Sequence, residues 1–130
     1  NAIVGKNAVV GNSCELKHVV LVEYVQTPHC NYVGDCMPGY KSHMGAGSIT
    51  SNVKSDKTLV VIKNGAERIE TGRKKVGAIL GDYVEVGCNS VLNPGAVIGR
   101  HTRIYPLSSV RGTVPENSIY KRSGDIAAQR

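Results

Sequence analysis

The sequence predicts an all-β chain: a single-stranded parallel β-helix of hexapeptide repeats with a protruding β-hairpin arm. Three observations carry this. The aliphatic residues are mostly β-branched, 18 Val and 9 Ile against 6 Leu, with no Phe and no Trp, a composition that favours extended chain. Long stretches divide into pieces of six residues, a period that fits neither 3.6 nor 7 and is the mark of a hexapeptide β-helix. The period then fails in one central stretch, where two strand-like segments flank a turn signal.

The repeat is clearest near the C-terminus: LGDYVE, VGCNSV, LNPGAV, IGRHTR, IYPLSS, VRGTVP. Leu80, Val86, Leu92, Ile98, Ile104 and Val110 open the pieces, and glycine follows in three of them. Each hexad is expected to form one short strand and one corner, with three hexads to a triangular coil. The opening aliphatic points inward and stacks on its copies in adjacent coils, and the glycine or small residue fits the corner. The same phase runs upstream from Val4 and Val10 through LKHVV, LVEYVQ, TPHCNY, VGDCM, PGYKSH and MGAGSI. Two of these pieces have five residues, so the upstream half is less regular.

Residues 51–78 interrupt the pattern. TLVVIK and ERIET read as strands around Asn64-Gly65, a hairpin turn signal. The arm is basic (Lys54, Lys57, Lys63, Arg68, Arg73, Lys74, Lys75) and has an apolar ladder of Leu59, Val61 and Ile69 for which a neighbouring subunit is the expected cover. The division is therefore a β-helix domain over 1–114 with the inserted arm 51–78, and a cap or tail over 115–130 that closes the last coil. The chain opens at Asn1 without Met, and further coils or another domain are expected ahead of it.

Length allows one compact domain. No apolar run approaches the roughly 20 residues of a membrane span, and no signal-peptide pattern opens the chain. Cys14, Cys30, Cys36 and Cys88 have no CxxC spacing, which reads as reduced thiols in a cytoplasmic protein. The net charge of +6 suits either a solvated basic surface or an anionic small ligand. Aromatic stacking platforms are scarce and no groove-reading motif is present, so nucleic acid is not the expected partner. Walker-type phosphate loops are absent. No paired histidine spacing suggests a metal, and none is expected.

Three segments fall close together in a folded prism: ELKH (15–18), TPHCNYVGD (27–35) and HMGAGSITSNVKSDK (43–57). Separations near 18 residues stack positions on one face. Lys17 and Tyr32 lie 15 residues apart, and His29 and Ala46 lie 17 apart. Lys17, His29, Tyr32 and Asn52 are expected to line one groove. Asp35 has no assigned role, and His18 and His101 read as surface residues.

PHCNYVGD, GAGSITSN and GRKKVGAILGD resemble the acetyltransferase domain of the bifunctional N-acetylglucosamine-1-phosphate uridylyltransferase / glucosamine-1-phosphate acetyltransferases. With the hairpin, the chain resembles more closely the sugar-1-phosphate nucleotidylyltransferases that end in a left-handed β-helix. The resemblance covers roughly Val10 to Val114. It implies left-handed coiling, acetyl-CoA as co-substrate, an amino-sugar phosphate acceptor, and a homotrimer with sites between neighbouring subunits. It implies His29 as general base, an imidazole with a usual pKa of ~6.5 being able to take the amine proton near neutral pH. Lys17, Tyr32, Asn52 and Lys75 match substrate-binding positions. His43 stands at another, in place of an asparagine. Ala46, Cys88 (in place of a serine) and Pro106 fall where acetyl-CoA is held, with the basic arm facing phosphates of the cofactor or the sugar. The family's phosphate arginine would fall before Asn1, and Val53 stands where the better-known enzymes have tyrosine. Beside catalysis stands a second expectation, a non-catalytic trimerising or regulatory β-helix of a nucleotidylyltransferase.

Overall fold

The computed structural model describes residues 1–121 and 125–129, and all its regular elements are strands. The first coil is β1 (Ala2–Val4), β2 (Val9–Asn12) and β3 (Glu15–Lys17). The second is β4 (Val19–Leu21), β5 (Gln26–His29) and β6 (Tyr32–Gly34). The third is β7 (Met37–Pro38), β8 (His43–Met44) and β9 (Ile49–Thr50). A hairpin follows, β10 (Val61–Asn64) and β11 (Glu67–Glu70). The fourth coil is β12 (Ile79–Leu80), β13 (Glu85–Val86) and β14 (Val91–Leu92). The fifth is β15 (Val97–Ile98), β16 (Arg103–Ile104) and β17 (Ser109–Val110). Then come β18 (Thr113–Val114), β19 (Ser118–Tyr120) and β20 (Ile126–Ala128).

Successive coils stack in parallel and make a prism of three faces. The second face runs β2-β5-β8-β13-β16-β19, and the third runs β3-β6-β9-β14-β17. The first face holds β1-β4 and β7-β12-β15-β18, joined by Val20 N–H to Cys36 O and Val22 N–H to Pro38 O. The coil is left-handed. Coil-to-coil spacing is 18 residues in the regular half (Glu85 opposite Arg103) and 17 upstream (Glu15 opposite Tyr32). Each five-residue corner, Leu16–Val20 and Val33–Met37, removes one residue from a coil.

The predicted phase holds at the core: Leu80, Val86, Leu92, Ile98, Ile104 and Val110 are all buried. So are Leu21, Thr27, Val33, Pro38 and Met44 upstream. Val4 and Val10, in the first coil, are exposed. A second inward position, fourth after the aliphatic, is taken by Val25, Val84 and Ala96 or by Ser42, Ser48, Ser90, Thr102 and Ser108. Three of the hydroxyls donate back to their own corner, Ser42 to Gly39 O, Ser48 to Gly45 O and Ser108 to Tyr105 O, at 2.8, 2.6 and 2.6 Å. No buried side-chain polar atom among the described residues lacks a partner, as a packed interior requires.

The glycine after the aliphatic answers to space rather than to backbone conformation. A Cβ on Gly87 would meet Pro106 N at 2.4 Å and Ile104 O at 2.7 Å, backbone of the next coil. The left-handed turn falls two residues later, at Tyr83, Asn89, His101 and Leu107, each with φ between 54° and 61°.

The arm folds back onto the prism. Val60 is fully buried, with its Cγ1 against Gly95, and Thr113 Oγ1 donates to Lys63 O at 2.7 Å. Of the expected ladder, Leu59 and Ile69 are exposed and Val61 is half-buried. Asn64 pairs with Glu67, so the turn residues are Gly65 (φ 59°) and Ala66, one place beyond the predicted Asn64-Gly65. The prism continues past Val114: β19 pairs in parallel with β16, and β20 folds back antiparallel on β19. The parts of the tail at 122–124 and 130 lie outside the described residues.

Candidate functional site

One column of residues follows the edge between the second and third faces. Asn12, His29, Ala46, Cys88 and Pro106 each stand two places after an inward residue (Val10, Thr27, Met44, Val86, Ile104). Hydrogen bonds run from each corner to the next: Cys30 N–H to Asn12 O, Gly47 N–H to His29 O, Asn89 N–H to Ala46 O and Leu107 N–H to Cys88 O, at 3.1, 3.0, 2.9 and 3.0 Å. His29, Ala46, Cys88 and Pro106 are exposed, so an imidazole heads a track of small side chains along the coil axis.

Asn31 fixes the His29 corner from below. Its side chain is buried, accepts from His29 N–H at 3.1 Å and donates to Gly45 O at 2.9 Å and Ser48 O at 3.0 Å. The His29 backbone is thereby tied to the corner that carries Ala46. Sequence reasoning passed over Asn31; its signal is a polar residue at an inward position of the TPHCNY hexad.

A second cluster lies on the edge between the third and first faces, where the arm leaves. Lys17 stands opposite Gly34, and Asp35 N–H donates to Lys17 O at 2.8 Å. Asn52 Nδ2 donates to Asp35 Oδ2 at 2.5 Å and to the Tyr32 hydroxyl at 3.2 Å. A carboxylate only accepts, so the amide nitrogen must face it. The returning strand closes the corner, Val76 N–H to Asn52 O at 3.0 Å and Gly77 N–H to Asp35 O at 2.8 Å, with Lys75 bridged to Val53. His18, Asp35, Arg73, Lys74 and Lys75 line an open cleft here. His18 Nδ1 stands 3.6 Å from Asp35 Oδ1, beyond hydrogen-bond length.

Tyr32 belongs to this corner and not to the His29 edge. A Cβ on Gly34 would meet its hydroxyl at 2.5 Å, so the ring lies along the strand toward Asn52. The single groove expected for Lys17, His29, Tyr32 and Asn52 therefore divides. Tyr32, Asn52, Lys17 and Lys75 share one edge, and His29 stands at the other end of the third face, on the corner before β6. The 15-residue link of Lys17 to Tyr32 is replaced by a 17-residue register that sets Lys17 against Gly34. His43 reaches neither edge. It stands in the middle of the second face, Nδ1 2.9 Å from Glu85 Oε2 on the facing strand.

Asp35 is the residue that sequence reasoning left without a role. It sits in a shortened corner at φ 49°, a conformation Asp tolerates better than most residues. The four cysteines are free thiols, Cys30 and Cys88 exposed and Cys36 buried. Burial pushes the Cys36 thiol up, while its hydrogen bond to Thr50 acts the other way. Among the described residues no group of three or more metal-ligating side chains converges, and no helix is long and apolar enough to cross a membrane.

No family model matches the chain. Over 119 residues, 92% of its length, it is 36% identical to a bifunctional sugar-1-phosphate nucleotidylyltransferase/acetyltransferase of Sulfurisphaera tokodaii, of which it covers 29%. Over 123 residues it is 33% identical to the bifunctional protein GlmU of Methanococcus maripaludis, of which it covers 30%. The chain thus spans about three-tenths of the length of these relatives. In structure it resembles the acetyltransferase domain of PglB from Neisseria gonorrhoeae, solved in complex with acetyl coenzyme A, with a TM-score of 0.70 at 15% identity, covering 92% of this chain and 48% of that one. That likeness concerns the fold; the kinship in sequence lies with the first two. Along nearly its whole length, the chain is homologous to the C-terminal, β-helical acetyltransferase region of the sugar-1-phosphate nucleotidylyltransferases.

Proposed function

We propose that the chain is an acetyl-CoA-dependent N-acetyltransferase acting on an amino-sugar 1-phosphate, serving as the C-terminal domain of a cytoplasmic sugar nucleotidylyltransferase. The observation that carries this is the His29 column. An exposed imidazole, its backbone held by Asn31, heads the track of Ala46, Cys88 and Pro106. The exposed side chains of that track are where an extended pantetheine thioester is proposed to lie.

In the proposed reaction, the His29 imidazole accepts a proton from the sugar amine as the amine nitrogen attacks the thioester carbonyl carbon. The new C–N bond forms, the C–S bond breaks, and the thiolate of coenzyme A leaves and is protonated. General-base assistance of this kind contributes ~10²–10⁴-fold. Lys17 and Lys75 supply positive charge for the sugar phosphate, and Tyr32 and Asn52 orient the ring. His43, paired with Glu85, is assigned to the acceptor side on the resemblance alone. Base and phosphate corner stand on different edges of one chain, so the complete site is proposed to form between neighbouring copies of a homotrimer.

The same separation of edges is what favours the second reading, a trimerising or regulatory β-helix without activity. The test is release of free thiol from acetyl-CoA in the presence of glucosamine-1-phosphate or galactosamine-1-phosphate. Release with either sugar supports the transferase. No release, together with no coenzyme A binding by calorimetry and a trimer by light scattering, supports the scaffold.

A further inference from the structure

A groove of about 450 Å³ lies between the arm and the third–first edge of the fourth and fifth coils. Its floor is prism backbone at Asn93–Gly95 and Gly112, and its apolar wall is Val53 and Val61. The walls are held in place. Val60 is buried against Gly95, Val60 N–H donates to Arg73 O at 2.8 Å, and Thr113 Oγ1 donates to Lys63 O.

Lys63, Arg68 and Arg111 all line this groove. Lys63 and Arg68 are direct cross-strand partners in the hairpin, so their side chains share one face, and like charges so placed destabilise a strand pair. Among the described residues neither they nor Arg111 form an ion pair. Asp56, which also lines the groove, is engaged by its own loop. It accepts from Thr58 N–H at 3.0 Å and Thr58 Oγ1 at 2.7 Å, with Lys54 Nζ 3.5 Å away. Three cations with no ion-pair partner among the described residues thus line one preformed space of ligand size.

We propose that this groove binds a diphosphate-bearing ligand, the phosphoryl oxygens taken by Arg68, Arg111 and Lys63 and any apolar portion resting on Val53 and Val61. Guanidinium forks take phosphate oxygens two at a time, and the lysine adds a point charge. A bound diphosphate also relieves the Lys63–Arg68 opposition. The site lies on the same third–first edge as the Asn52–Lys75 corner but is lined by other residues, and its test does not depend on acetyl transfer.

The test is calorimetry on the full chain at low salt, with inorganic pyrophosphate and ADP titrated separately. Neither probe carries an acetyl group or a sugar amine. Both are expected to bind once per chain. Arg68→Gln is expected to weaken both at least ~10-fold, the size of a lost charge-assisted contact, while Lys57→Ala, an exposed arm cation outside the groove, leaves them unchanged. Tighter ADP assigns the natural ligand to a nucleotide, and equal affinities assign it to an inorganic or simple diphosphate; either supports the site. Failure of both probes to bind overturns it, as does equal weakening by Arg68→Gln and Lys57→Ala, which signals diffuse surface charge. Thermal unfolding supplies a second readout. Ligand-free Arg68→Gln is expected to melt at or above the parent temperature and to gain nothing from pyrophosphate. A lower ligand-free melting temperature makes Arg68 a structural residue and overturns the proposal.

Discussion

The Asn52 amide nitrogen lies 2.5 Å from Asp35 Oδ2 and 3.2 Å from the Tyr32 hydroxyl. One side chain therefore links the point where the arm departs to two residues of the coil beneath. Replacing Asp35 with Asn keeps the shape and tolerates φ 49°, but sets two amides in place of a charge-assisted bond. The carboxylate is partly exposed, 18%, so a stability loss of ~1–2 kcal/mol is expected in urea unfolding. Under the proposed function, KM for the sugar phosphate rises more than kcat falls. If stability and KM both match the parent, the network is idle.

His29→Ala is expected to leave the melting temperature within a degree or two, because the imidazole is exposed and the corner bonds are made by backbone. Thiol release falls at least ~100-fold. An unchanged rate assigns the base to another group.

Gly87→Ala and Gly65→Ala separate two uses of glycine. At Gly87 the added carbon collides with backbone of the next coil at 2.4 Å, while at Gly65 nothing lies within 4 Å and φ is 59°. The first is expected to cost ~3 kcal/mol or more, through forced separation of coils, and the second about 1 kcal/mol, through backbone strain alone. Denaturant midpoints measure both, and equal losses contradict the steric account.

Cys36 and Cys88 should part on alkylation. Cys88 and Cys30 are expected to react readily at pH 8, and Cys36 only after unfolding. The native Cys36 thiol titrates above its ordinary value, so the unfolded chain loses that proton first. The stability tied to Cys36 is full below the ordinary thiol pKa, ~8.5, and is lost as pH rises toward the native value. Cys36→Ala should flatten this alkaline decline, and an identical slope in parent and variant contradicts it.

Sequence periodicity carried the core because a six-residue repeat leaves an aliphatic one way to face. Leu80 through Val110 are buried as their phase requires, and His29 falls in register with Ala46, Cys88 and Pro106 because each stands two places after an inward residue. Asp35 and Asn31 were not legible in the same way. Their importance rests on hydrogen bonds to residues 14 to 17 positions away; the hexad marks Asn31 as a polar residue at an inward position but not its partners, and nothing local marks Asp35.

The sequence by itself determined the β-helix and its inward residues, since both follow from side-chain period and turn chemistry. Tertiary structure decided which edge each remaining candidate occupies. Two five-residue corners set the upstream register at 17, which places Lys17 beside Gly34 and leaves Tyr32 tilted over that glycine toward Asn52. It decided also that the arm closes a basic groove, because burial of Val60 against Gly95 is a contact between segments that the chain order does not announce.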